Sequence, residues 1–302
     1  MIDARPSRPV VGILWMLVSG LLFVFVNTGV KFLGPRVPAP EAAFLRYALG
    51  LVLLIPTIRP ILAARITARQ WRMIGFRGAL HATGVALWFF AMARIPIADV
   101  TAINYISPIF VAIGAAIFLG EKLAARRIVA VVIGLIGALV ILRPGLREIE
   151  PGHTMMVIAA MVFAASYMFA KRLSDELPPM VVVALLSMSV ALALAPVALM
   201  QWVTPDLTTL AVLFAVACVA TTGHYTMTRA LQAAPISVTQ PVTFLQLLWA
   251  VLLGYFVFGE AVDPYVILGG GMIIAAVSFI AWRESKVKRD GMKVPPPQAT
   301  KL

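Results

Sequence analysis

Along the chain, stretches of about twenty mostly apolar residues alternate with short breaks rich in Pro, Gly and charge. A helix needs roughly 20 predominantly apolar residues to cross a bilayer. Ten stretches fit that requirement: 11–30, 41–58, 73–93, 97–118, 126–142, 154–170, 179–201, 207–230, 236–258 and 264–282. The joins hold Gly34-Pro35, Arg59-Pro60, Pro96, Gly120-Glu121-Lys122, Arg143-Pro144-Gly145, Pro178-Pro179, Pro235 and Gly259-Glu260, which stop or turn helices. The joins are too short for a soluble domain, so the chemistry is expected inside the membrane. The first apolar run has no small-residue cleavage site behind it and reads as a spanning helix, not a cleavable signal.

Composition supports an integral membrane protein. Hydrophobic residues make up 61% of the 302 and charged residues 13%. Mean hydropathy is +0.96. A soluble domain is about half apolar and a quarter charged, so a soluble enzyme is excluded. The net charge of +12 could suggest nucleic acid, but the bases sit in loops and tail beside apolar runs, which suits membrane orientation better. If the N-terminus is cytoplasmic, only Lys31, Arg36, Arg46, Arg94, Arg143 and Arg147 fall toward the other side, and the other nineteen of 25 basic residues face the cytoplasm. Both termini are therefore expected in the cytoplasm. The single cysteine, Cys218, allows no intrachain disulfide, and no His/Cys/Asp cluster has metal-ligand spacing.

The chain repeats itself. Lys31, Pro38 and Pro56 recur 140 residues later as Lys171, Pro178 and Pro196. Thr83, Gly84, Pro96, Ile97, Gly120 and Glu121 recur 139 residues later as Thr222, Gly223, Pro235, Ile236, Gly259 and Glu260. The expected organisation is a cytoplasmic N-terminus (1–10), a first five-helix repeat (11–142), a linker (143–153), a second five-helix repeat (154–282) and a basic cytoplasmic tail (283–302). Five is odd, so the second copy is expected upside down. Inverted repeats have two near-equivalent packings, one open to each side, with a site at their interface near the midplane. This is a physical argument for alternating access around a central cavity.

Ten helices in two halves, with the paired endings IFLGEKL and YFVFGEAV, resemble the EamA type of the drug/metabolite transporter superfamily. Overall likeness is greatest to the bacterial aromatic amino acid exporters. The resemblance implies a cavity lined by the first, third and fourth helices of each repeat, and export across the inner membrane.

Polar side chains in spanning helices normally face protein or water. Ser19, Phe23, Asn27 and Lys31 share one face of the first helix, and Phe163, Tyr167 and Lys171 repeat the pattern in the sixth. The third helix presents His81, Gly84 and Trp88. The fourth presents Thr101 and Asn104 with Tyr105 beside them. The eighth offers Thr221, His224, Tyr225 and Thr228, and the ninth Thr239, Gln240, Thr243, Phe244 and Gln246. From these, Asn27, His81, Trp88, Asn104, Tyr105, Tyr167, His224, Gln240, Phe244 and Gln246 are the candidate substrate-binding residues. Pro108 and Pro241 are candidate hinges. Ser19, Thr101, Thr221 and Thr228 suit bonding to helix backbone. Lys31 and Lys171 are expected to snorkel at opposite faces, and Arg46, Arg77 and Arg229 to lie near helix ends. Glu121 and Glu260 are expected to anchor a terminus or a neighbouring helix.

All thirteen acids fall near helix ends, in loops or in tails, so the carboxylate that proton-driven cation carriers use is missing from mid-membrane. There is no Walker A loop, no G-x-S-x-G and no H-E-x-x-H. The residues call for no catalytic group, metal or cofactor. The expected partners are a small-molecule substrate and the lipid bilayer, not nucleic acid; monomer and oligomer are both open. The reading is a secondary exporter of small amphipathic metabolites, foremost aromatic or apolar amino acids. The alternatives are a carrier of another neutral solute, such as a purine or a drug, and an intramembrane enzyme or scaffold.

Overall fold

The computed structural model describes residues 8–119, 125–146, 148–234, 239 and 242–291. Its regular elements are α1 (Pro9–Leu33), α2 (Ala39–Leu53), α3 (Ile58–Ala63), α4 (Ala68–Met92), α5 (Ile97–Asn104), α6 (Ser107–Leu119), α7 (Ala125–Leu142), α8 (Pro151–Glu176), α9 (Pro179–Met200), α10 (Leu207–Ala233), α11 (Leu245–Phe258) and α12 (Pro264–Gly291). Among the described residues there is no β-strand. Segments Pro9–Leu33, Pro151–Ala170, Met180–Met200, Leu207–Ala230 and Pro264–Arg283 are each long and apolar enough to cross a membrane. α4 and the shorter apolar runs 97–111, 128–142 and 245–258 occupy most of the remaining hydrophobic stretches.

Two expected helices are broken. The second ends at Leu53, passes through a 3₁₀ turn at Ile55–Thr57 and resumes as α3 at 63°. Pro56 causes this, since it lacks the N–H that would continue the ladder. Pro196, its counterpart, is accommodated inside the continuous α9. The fourth helix breaks at Tyr105–Ile106, a turn ahead of Pro108. A proline ring disturbs the carbonyl four residues earlier, here that of Asn104. The break is held by three-residue bonds from Tyr105 N to Ala102 O and from Ile106 N to Ile103 O.

The two halves interleave. α1 packs along α10, α4 along α8, α2 along α9 and α7 along α12. Exchanging the halves turns the α1–α10 pair into the α8–α4 pair and maps the other two pairs onto themselves, as a two-fold relation requires. Small residues permit the closest approach. At the α7–α12 crossing, a Cβ on Gly137 would lie 2.7 Å from the carbonyl oxygen of Gly269.

Candidate substrate site

The interleaving brings polar groups of both halves together. His81 of α4 is buried, with Nε2 3.1 Å from Tyr47 Oη of α2 and Nδ1 3.5 Å from Ser166 Oγ of α8. Phe163, nearly one turn before Ser166, lies against the imidazole with ring centroids 5.1 Å apart. Gly84 makes room for it, because a Cβ there would sit 2.7 Å from the Phe163 ring. Tyr167 follows at 6.4 Å from Phe163 and keeps 47% of its surface exposed. On α10, His224 meets Phe23 of α1 edge-on at 5.1 Å. Ser19 fixes that helix pair by donating to the Gly223 carbonyl at 3.0 Å. His81 and His224 lie within electrostatic range of each other and of Arg46 and Arg77.

A second group forms at the helix breaks. Tyr105 donates its hydroxyl to the Thr243 carbonyl at 3.0 Å, and its ring meets Phe244 edge-on at 5.2 Å. Non-helical backbone inside a membrane needs such partners, since lipid offers none. Asn104, at the end of α5, has a buried Oδ1 with no hydrogen-bond partner among the described residues.

Among the sequence candidates, His81, Tyr167 and His224 thus belong to one locus, and Asn104, Tyr105 and Phe244 to another. Gln246 is half-buried and approaches Gly20 of α1. Asn27 is half-buried on α1, and Trp88 is half-buried on α4, edge-on to Phe89. Pro108 lies in the first turn of α6. Gln240 and Pro241 lie outside the described residues. Thr101 and Thr228 donate to the carbonyls of Ile97 and His224 on their own helices, a backbone role. Sequence reasoning missed Tyr47 and Ser166; both are polar at mid-helix, which was the available signal.

Three readings of charged residues are corrected. Lys31 does not snorkel: its Nζ lies 2.8 Å from Glu260 Oε1 and donates to Ile95 O at 2.7 Å. Glu260 Oε2 also accepts from Ile97 N at 3.0 Å. Gly259, in the left-handed region at φ 65°, turns the chain so that Glu260 reaches back to this latch. The latch ties the end of α1 and the α4–α5 junction, both of the first half, to the second half. Arg46 and Arg77 are not at helix ends but buried within α2 and α4, 8% and 9% exposed. Arg46 lies 4.1 Å over the Tyr47 ring. Arg77 reaches the Val182 carbonyl only at 3.5 Å, and its Nε has no partner among the described residues. A charged side chain buried within a membrane protein is costly and tends to be functional, so two such arginines ask for a function.

Apolar helices that bury polar groups at the interface of two halves define a multi-pass membrane transport protein. The chain belongs to the EamA-like transporter family, which matches residues 10–143 and 150–282. It is 33% identical to a riboflavin transporter of Rhizobium johnstonii, covering 94% of this chain and 95% of that one. It is 26% identical to an S-adenosylmethionine uptake transporter of Rickettsia prowazekii, covering 91% and 94%. A solved crystal structure with 17% identity shares the fold at a TM-score of 0.61, covering 90% of this chain and 98% of that one.

Proposed function

We propose that this transporter moves a small amphipathic aromatic metabolite by alternating access between two inverted halves. The observation that carries the reading is the cluster of Tyr47 and His81 from the first half with Phe163 and Ser166 from the second. Hydroxyl and imidazole groups suit the polar head of a solute, and the facing rings suit a planar body. Aromatic amino acids fit this chemistry, and export is the direction the family resemblance implies. A second reading, a larger heteroaromatic solute, is favoured by the 33% identity to a riboflavin transporter over nearly the whole chain. The setting is a bacterial inner membrane with both termini in the cytoplasm. In that orientation the Lys31–Glu260 latch closes the outer end.

The test is transport by the purified chain in liposomes, measured in both directions with labelled tryptophan, phenylalanine and riboflavin. Saturable movement of at least one supports the reading, and movement of none overturns it. Reporter fusions check the orientation: positions within 59–72 should be cytoplasmic and positions within 143–153 external. An external 59–72 segment would refute it.

A further inference from the structure

We propose that Arg46 and Arg77 form an anion-recognition site, so that the solute carries a carboxylate or phosphate group. The inference rests on the transport reading above and sharpens its substrate class.

Elsewhere the described structure pairs half-buried cations: Lys31 meets Glu260, and Arg143 meets Asp263. Arg46 and Arg77 differ. Neither has a carboxylate within ion-pair distance among the described residues. Glu41, the acid on the same helix as Arg46, instead accepts from Val203 N at 2.9 Å. Arginine cannot escape burial by losing its proton, unlike lysine or histidine. Arg77 lies one turn before His81 on α4, and Arg46 stacks on Tyr47, whose hydroxyl meets His81, so two permanent positive charges flank this pair without a carboxylate partner among the described residues.

Their placement suits a ligand. Arg46 is stacked on Tyr47, whose hydroxyl is bonded to His81, so the guanidinium is braced by the same groups that form the central cluster. The Arg77 side chain lines a narrow cleft between α4, α8 and α9, with Leu173, Val182 and Leu185 around it. Among the described residues its Nε has no partner, which leaves one donor of the planar fork unused. A carboxylate or phosphate placed there would gain charge-assisted hydrogen bonds. An organic cation would meet only more positive charge.

A site held ready for a ligand also predicts an unusual stability response. Removing an unpaired buried charge should not harm the empty protein, whereas removing a structural arginine should. The experiment uses the full chain in detergent, with thermal melting as readout. The probes are indole-3-acetate, neutral indole, cationic tryptamine and inorganic phosphate. Indole-3-acetate should raise the melting temperature at a concentration at least tenfold below that needed with indole, and tryptamine should give no stabilisation. Phosphate without response beside a strong indole-3-acetate response identifies a carboxylate, and the converse identifies a phosphate group. Arg46→Gln and Arg77→Gln should each lower the apparent anion affinity tenfold or more, while the empty variants melt at or above wild type. Arg→Lys at either position should retain part of the affinity, since charge persists without the fork. Anion stabilisation without transport of any solute in liposomes would leave this site standing and sink the transport reading. Equal stabilisation by indole and indole-3-acetate, or destabilised empty Gln variants with unchanged anion affinity, would overturn the proposal.

Discussion

Glu260→Gln isolates the charge of the latch, because the amide oxygen can still accept from Ile97 N. The pair of Glu260 and Lys31 stands at 2.8 Å with side chains 14% and 16% exposed. At an effective dielectric of 20, two unit charges at that range attract by about 6 kcal/mol. Desolvation offsets much of this, and breaking one partner of a buried pair costs about 3–5 kcal/mol. Since both groups keep some contact with water, we expect the lower end, about 3 kcal/mol, to be lost from the packing in which this end is closed. A change of that size shifts a two-state equilibrium roughly 100-fold. Val251 is half-buried and lines the cleft beside Glu260. With Cys218 replaced by Ser and Val251 by Cys, an impermeant maleimide should label the Glu260→Gln protein tens of times faster than its Glu260 parent. Lys31→Met should do the same, and the double variant should label no faster than either single one. Labelling within twofold of the parent, or strictly additive effects of the two substitutions, would refute the latch.

Three further outcomes are expected. Gly137→Ala would press a methyl 2.7 Å from the Gly269 carbonyl and should cost about 1–3 kcal/mol, read as a lower melting temperature in detergent. His81→Ala, Asn104→Ala and Gln246→Ala should each weaken transport up to about tenfold while folded protein remains, and the lipid-exposed control Leu192→Ala should leave it unchanged. Asp206 caps α10 by accepting from Thr209 N at 2.6 Å, and hydrogen bonds from Thr209 hold its carboxyl below the usual range. Its contribution is therefore complete above the unfolded carboxylate pKa and fades as pH falls through the lower folded value. The melting difference between wild type and Asp206→Ala should be present at pH 7 and shrink in acid.

The hydrophobic segments and the two halves were legible because apolar length and helix-breaking residues carry the signal locally. Side-chain partners were less so. The Lys31 latch depends on which helix end lies opposite, something one helix cannot state. Yet Lys31, Ile97 and Glu260 are all repeat-related positions, so the repeat already held the clue. The position of Arg77 within its helix was misjudged because α4 starts at Ala68, five residues before the expected boundary. That places Arg77 nine residues from the helix start, about 14 Å along its axis at 1.5 Å per residue. Counting arginines for orientation treats each as a surface charge and so hides those that lie within the bundle. The break near Pro108 was anticipated in kind but displaced by a turn, since proline acts on the carbonyl behind it.

The arrangement of the site bears on how a solute could drive a change of packing. A ligand shifts a conformational equilibrium only if it binds the two states unequally. Arg46, Tyr47, Arg77 and His81 come from the first half, whereas Phe163, Ser166 and Tyr167 come from the second. A solute whose charged head meets the arginines and whose ring meets Phe163 would therefore span the interface that rearranges in the proposed alternating access. The Lys31–Glu260 latch spans the same interface at another level. Solute and latch then act on one equilibrium, and binding energy gained across the halves can offset the roughly 3 kcal/mol that the latch contributes. A solute held by one half alone would move rigidly with that half. It would bind both packings equally and leave the latch undisturbed.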